Sequence, residues 1–173
     1  MPQLFSRRKM IGVGGAATLA PLATMRDVAR AATVPGTVTG PVVVLVEPIR
    51  VFDSRTALPS LGGGKLVSGT SNAVSVGLLV ERGFVENPVA VLVNVTITET
   101  EGAGFLVVRA SDLAGNRPLP ATSNINWSTN GQTLANLVVT TVGGENTLEV
   151  RAGGNGRTHY ILDVQGFIPT VVN

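Results

Sequence analysis

Pro88 to Thr98 reads PVAVLVNVTIT, and the alternation within it decides the fold. The odd positions Val89, Val91, Val93, Val95 and Ile97 are β-branched and apolar, whereas the even positions run Ala90, Leu92, Asn94, Thr96, Thr98. Successive side chains of a strand point to opposite faces, so this pattern predicts a strand with one buried face and another turning polar towards its end. It is expected as the central strand of a β core.

Upstream, Val42 to Glu47 is a continuous apolar run, read as a buried strand stopped by Pro48. Ile49 to Arg55, IRVFDSR, alternates apolar and charged positions. Ala73 to Val80 alternates Val74, Val76, Leu78 and Val80 with smaller residues, which predicts a further strand. Leu61 to Lys65, LGGGK, lacks the spacing and following helix of a phosphate-binding loop and reads as a turn.

Downstream, Glu101 to Gly104 supplies a turn, and Phe105 to Ala110 is expected as the hairpin partner of the central strand. Ser111 to Gln132 is a long interruption with a short strand at Ser123 to Trp127. Loops of this length are uncommon in compact domains and often functional. Its Trp127 is either part of a contact surface, with Tyr160, or a plug over one end of the fold. Three further strands, Thr133 to Val142, Thr147 to Ala152 and Arg157 to Ile168, are joined by Gly- and Asn-rich turns, as in a meander. The stretches 93–110 and 138–152 both end in Val-Arg-Ala and read as two similar hairpins. No helical period follows residue 32. The fold class predicted is all-β, a single antiparallel β-sandwich of jelly-roll or Greek-key kind, with a barrel as the alternative.

Composition narrows the function classes. The chain has 173 residues and no Cys, so thiol catalysis, Cys-ligated metals and disulfides are excluded together. Its hydrophobic share is 44% and its aromatic share 4%, which favours Val-rich strands over aromatic platforms. The basic balance is misleading. Five of the 13 basic residues, and only Asp27 of the 11 acidic ones, lie in positions 1–31; the remainder carries 8 against 10, a net charge of −2. Such a surface lacks the footprint of a nucleic-acid binder.

The first 31 residues have the three parts of an export signal: a charged start, a mildly apolar run from Ile11 to Thr24, and a small-x-small site at Ala29-Arg30-Ala31. The run is shorter than the roughly 20 residues that span a bilayer. Ser6, Arg7 and Arg8 with Met10 and Ile11 resemble a twin-arginine signal, with Gly12 departing from its Lys position. The expected division is a leader at 1–31, a linker or N-terminal arm at 32–41, and a β-sandwich at 42–173. The membrane is then met only through the leader, during export.

An ordered series of short motifs adds a second resemblance: Arg50, Phe52, Asp53, Ser54 and Arg55; Val93-Asn94-Val95-Thr96; Gly104-Phe105-Leu106; Ser123 to Asn126; Ala135-Asn136; Val142-Gly143; and His159 with Asp163-Val164 and Gly166-Phe167. The set resembles a Val- and Gly-rich β domain common in secreted and cell-surface actinobacterial proteins. The resemblance implies a location and an architecture, and no enzymatic activity.

Candidate chemistry is sparse. A Ser-His-Asp triad would have to use His159, the sole histidine, with Asp163 or Asp53, and no Gly-x-Ser-x-Gly elbow presents a serine. A single His cannot build a His-rich metal site, and no calcium loop occurs. Asp163 lies in an apolar strand and needs a counter-ion, for which Arg50 or Arg55 is expected. Asp53 and Asp163 could alternatively form a glycosidase pair. No cofactor is expected. The reading is a secreted, non-enzymatic module of the cell envelope or extracellular space, meeting an envelope component or protein partner. Two alternatives stay open: a carbohydrate-binding or hydrolase-accessory domain, using Trp127 and Tyr160, and an oligomeric phage or extracellular filament subunit, with Thr33 to Pro41 donated as a strand.

Overall fold

The computed structural model describes residues 42–112 and 117–170. The expected leader, with Arg7, Arg8, Ala29 and Ala31, and the arm up to Pro41 lie outside the described residues. The elements in order are β1 (Val44–Asp53), β2 (Leu66–Val67), β3 (Ser71–Ser75), α1 (Leu78–Glu81), β4 (Pro88–Glu101), β5 (Gly104–Ala110), β6 (Ile125–Trp127), β7 (Leu134–Thr141), β8 (Thr147–Gly154) and β9 (Arg157–Pro169). One sheet has the order β1-β9-β4-β7, with β2 also on β9; the other has β3-β8-β5-β6, and all pairs are antiparallel. The two sheets pack face to face as a sandwich rather than closing into a barrel.

The alternation of β4 does the work read from it. Val91, Val93, Val95 and Ile97 are fully buried, facing Leu106, Val108, Leu148 and Val150 of the opposite sheet in one apolar cluster. Each such side chain contributes about 1.5–3 kcal/mol on burial. Val89 breaks the pattern and is 48% exposed, because the register shifts between Pro88 and Ala90. Near the other end Glu99 adopts φ 52°, the register shifts again, and Thr100 turns inward in place of an odd position. Its hydroxyl donates to Thr129 O and accepts from Gln132 N–H.

Several local expectations are corrected. The run Val42 to Glu47 is no buried strand: β1 is a sheet edge, Leu45 is 65% exposed, and the strand continues through Pro48 at a register shift. An edge tolerates the missing N–H. The strand from Ala73 ends at Ser75, whose Oγ accepts the Gly77 N–H, and Leu78 to Glu81 form one helical turn. Val76 and Leu79 are both fully buried, so the three-residue helical spacing serves the core; short apolar runs fit either period.

Neither Val-Arg-Ala unit is a hairpin. β4 pairs with β9 and β7, while β5 pairs with β8 and β6, so the chain crosses between sheets at Gly102-Ala103. β7 to β8 and β8 to β9 also cross, so the last third is not a meander. The echoed units instead pair with each other, β4 with β7 and β5 with β8.

The long interruption also lies elsewhere than expected. Arg109 of β5 and Arg151 of β8 donate to the carbonyls of Arg117 and Pro118, which places this part of the loop over the outer face of the second sheet. Beneath it Glu149 is 5% exposed and is held by Arg109 Nε at 2.6 Å. Trp127 is the plug. It is 4% exposed and fills a slot that only glycine leaves open: a Cβ at Gly104 would stand 2.5 Å from its Cζ2, and one at Gly156 3.0 Å from its Nε1.

Candidate functional site

β1 and β3 are the adjacent edges of the two sheets, and the segment between β1 and β2 leaves the sheet before returning to β9. That excursion makes one wall of an open cleft of about 640 Å³, and β3 makes the other. Apolar surface comes from Val51, Phe52, Leu61 and Val74, and polar groups from Thr56, Ser60, Ser71, Asn72 and Ser75. Asp53 is the one ionisable residue in the lining.

The walls are tied together from within. Asn72 Nδ2 donates to Gly62 O at 3.1 Å and to the Tyr160 hydroxyl at 2.9 Å, which uses both amide hydrogens. Gly62 has φ 83°, and a Cβ there would stand 2.6 Å from Asn72 Nδ2, so glycine permits the approach. Tyr160 is fully buried, and its ring stacks on Phe52 with centroids 5.0 Å apart. Burial pushes the Tyr160 phenol up to about 12, against the opposing effect of the Asn72 hydrogen bond. Phe52, half-buried in the cleft wall, thus has a rigid aromatic backing.

At the end of β1 the charges are already matched. Asp53 accepts Arg55 Nε at 2.9 Å, Arg55 Nη2 at 2.6 Å and the Arg55 backbone N–H at 3.0 Å. The Arg55 guanidinium holds its carboxyl down at about 2, although burial acts the other way. Arg50 forks onto Asp163 through Nε at 2.9 Å and Nη2 at 3.2 Å, with a longer contact to Asp53 at 3.5 Å. Each carboxylate oxygen of Asp53 and Asp163 therefore has an arginine partner. A carboxyl held ionised to such low pH is unsuited to the proton donation a glycosidase acid must perform.

His159 is joined to Ser54, with Nδ1 3.0 Å from Oγ. The same Oγ accepts the Tyr160 backbone N–H at 2.9 Å, and Ser54 is 1% exposed. The hydroxyl closes the end of the β1–β9 ladder, where no acyl group can reach it. Among the described residues no group of three or more His, Cys, Asp and Glu is placed to hold a metal ion.

Trp127 and Tyr160, the expected contact pair, are both in the core and offer no surface. The sequence reading missed Phe52, Asn72 and the hydroxyls of β3 as a set, because they come from two edges that only the inter-sheet crossings bring together. A signal was present in the motif Arg50 to Arg55, where Phe52 stands among charges. Comparison of the chain with models of known families, with curated proteins and with solved structures finds no match.

Proposed function

We propose that this chain is a non-enzymatic binding module of the cell envelope or extracellular space. The observation that carries the reading is the cleft between the β1 and β3 edges: concave, uncharged apart from an arginine-locked Asp53, and braced by Asn72 and Tyr160. Clefts of some 300–1,000 Å³ with a few placed polar groups suit recognition of small groups or parts of larger molecules. The engaged states of Ser54, His159, Asp53 and Asp163 support binding over turnover. The leader, with its resemblance to a twin-arginine signal, supports an extracellular address for such a module.

The test is to express the full chain in a bacterium with a twin-arginine route, weigh the protein recovered from the medium, and mix it with isolated cell walls. Export predicts a mass that begins at or near Ala32, and binding predicts sedimentation with the walls. An intact Met1 in every fraction, or a protein left in the supernatant, would overturn the reading.

A further inference from the structure

We infer that the cleft between β1 and β3 takes an uncharged saccharide, with Phe52 as the apolar platform for a ring and the Asn72 carbonyl as a fixed acceptor for a sugar hydroxyl. This rests on the binding-module reading above and names its ligand class. The amide of Asn72 cannot rotate without losing both donated bonds, so its Oδ1 is the group left to a ligand. The cleft also holds the hydroxyls of Ser60 and Ser71, able to donate or accept, and that of Thr56, which donates to the Asp53 carbonyl and can still accept. Alternating hydroxyls and an apolar ring face are what a saccharide presents. A charged ligand would find no counter-ion, since Asp53 is already matched by Arg55 and Arg50.

An edge strand with unpaired backbone also invites an extended peptide. Here the wall argues against it. Gly62 is held directly at Asn72, the second residue of β3, so a strand running the length of β3 would have to displace the loop that the Asn72 bond and the Leu58 and Pro59 carbonyls fix in place. The remaining space suits a compact ligand.

The experiment titrates the isotope-labelled full chain with mannotriose, maltotriose and chitotriose, and with a neutral Thr-Val peptide, following backbone amides and the Asn72 side-chain amide by NMR. At least one saccharide is expected to shift residues 71–75 and the Asn72 amide saturably, in the micromolar to millimolar range. Ser71→Arg, a change at an exposed position, should weaken that binding tenfold or more with the melting temperature unchanged, and Phe52→Leu should weaken it as well. Silence from all three saccharides, shifts that survive Ser71→Arg, or shifts caused by the peptide alone would each overturn the assignment. Sedimentation with cell walls that persists in Ser71→Arg would sink the saccharide site and leave the binding module standing. Absence of sedimentation in the parent protein would remove the module itself.

Discussion

The guanidinium of Arg50 grips the carboxylate of Asp163 in a two-point fork, at 2.9 and 3.2 Å, across directly opposed positions of β1 and β9. Asp163 is well covered, its side chain 18% exposed, but Arg50 is 53% exposed. An ion pair with one partner in solvent contributes about 1 kcal/mol, well short of the 3–5 kcal/mol of a fully buried pair. Asp163→Ala is therefore expected to lower the melting temperature by only about 3–5 °C. Denaturant unfolding of both proteins checks this, and a loss above about 3 kcal/mol would show that the pair is far less hydrated than its geometry implies.

Acid stability should depend on Asp53. Its carboxyl is lowered from 3.8 to about 2, chiefly by the Arg55 hydrogen bond. A depressed carboxyl stabilises the fold fully above its unfolded value, and that contribution is lost as pH falls through about 2. With the exposed Arg55 screened by solvent, the contribution is about 1–2 kcal/mol. Asp53→Asn should be less stable than the parent at neutral pH and converge with it by pH 2. Urea midpoints taken across the acid range measure the difference; parallel curves for the two proteins would rule the pair out as the cause.

Alkaline stability should follow Tyr160, the sole tyrosine, whose phenol burial raises from 10.0 to about 12. A raised value means stability that is complete below the unfolded pKa and disappears as pH rises through the folded one. Tyrosinate absorbance is thus expected to appear near 12, together with loss of the folded near-ultraviolet signal. Tyr160→Phe should remove this alkaline dependence, while leaving one Asn72 amide hydrogen without an acceptor, at a cost of about 1–3 kcal/mol. Reversible ionisation near 10 in a folded protein would contradict the buried position.

The loop over the second sheet is anchored by a buried charge. Glu149 is 5% exposed beneath it, and Arg109 both meets that carboxylate at 2.6 Å and donates to the Arg117 and Pro118 carbonyls. Arg109→Ala leaves Glu149 only the longer 3.9 Å contact to Arg151, so it should cost about 3 kcal/mol. Amide exchange should also accelerate around 117–124 before it does in β8. A double change to leucines, Arg109→Leu with Glu149→Leu, should recover part of the loss, since the buried carboxylate is gone and Arg151 keeps its bond to the Arg117 carbonyl.

The difference between what β4 announced and what β5 concealed is physical. Alternation over Val91 to Ile97 reports which face of a strand is dry, and that information is local. Whether the next strand joins the same sheet is not local. The turn at Gly102-Ala103 looks like a hairpin turn, yet it crosses the sandwich, and β5 finds its partners in β6 and β8, both remote in sequence from β4. The same limit hid the cleft. The Arg50 and Asp163 partnership could be read from an acid in an apolar strand that lacked a counter-ion, whereas Asn72 carries no such demand and Tyr160 looked like surface. Pro48 misled in the opposite direction, since its consequence depends on whether β1 is an edge.

Glu99 offers the last test, because its backbone conformation is the one that changes the phase of β4. With φ 52° it occupies the left-handed region without being glycine, at the register shift between Thr98 and Glu101. An L side chain there costs about 1–2 kcal/mol, while glycine pays roughly 0.5–1 kcal/mol in unfolded-state freedom. Glu99→Gly should therefore stabilise the fold by about 0.5–1 kcal/mol, even though it removes a charge that faces Arg55. Glu99→Ala separates the two effects, since it removes the same charge but keeps the strained φ, and it should bring no gain. If the glycine and alanine variants unfold at the same urea concentration, the bulge is relaxed. The inward turn of Thr100 would then have to be maintained by its bonds to Thr129 and Gln132 alone.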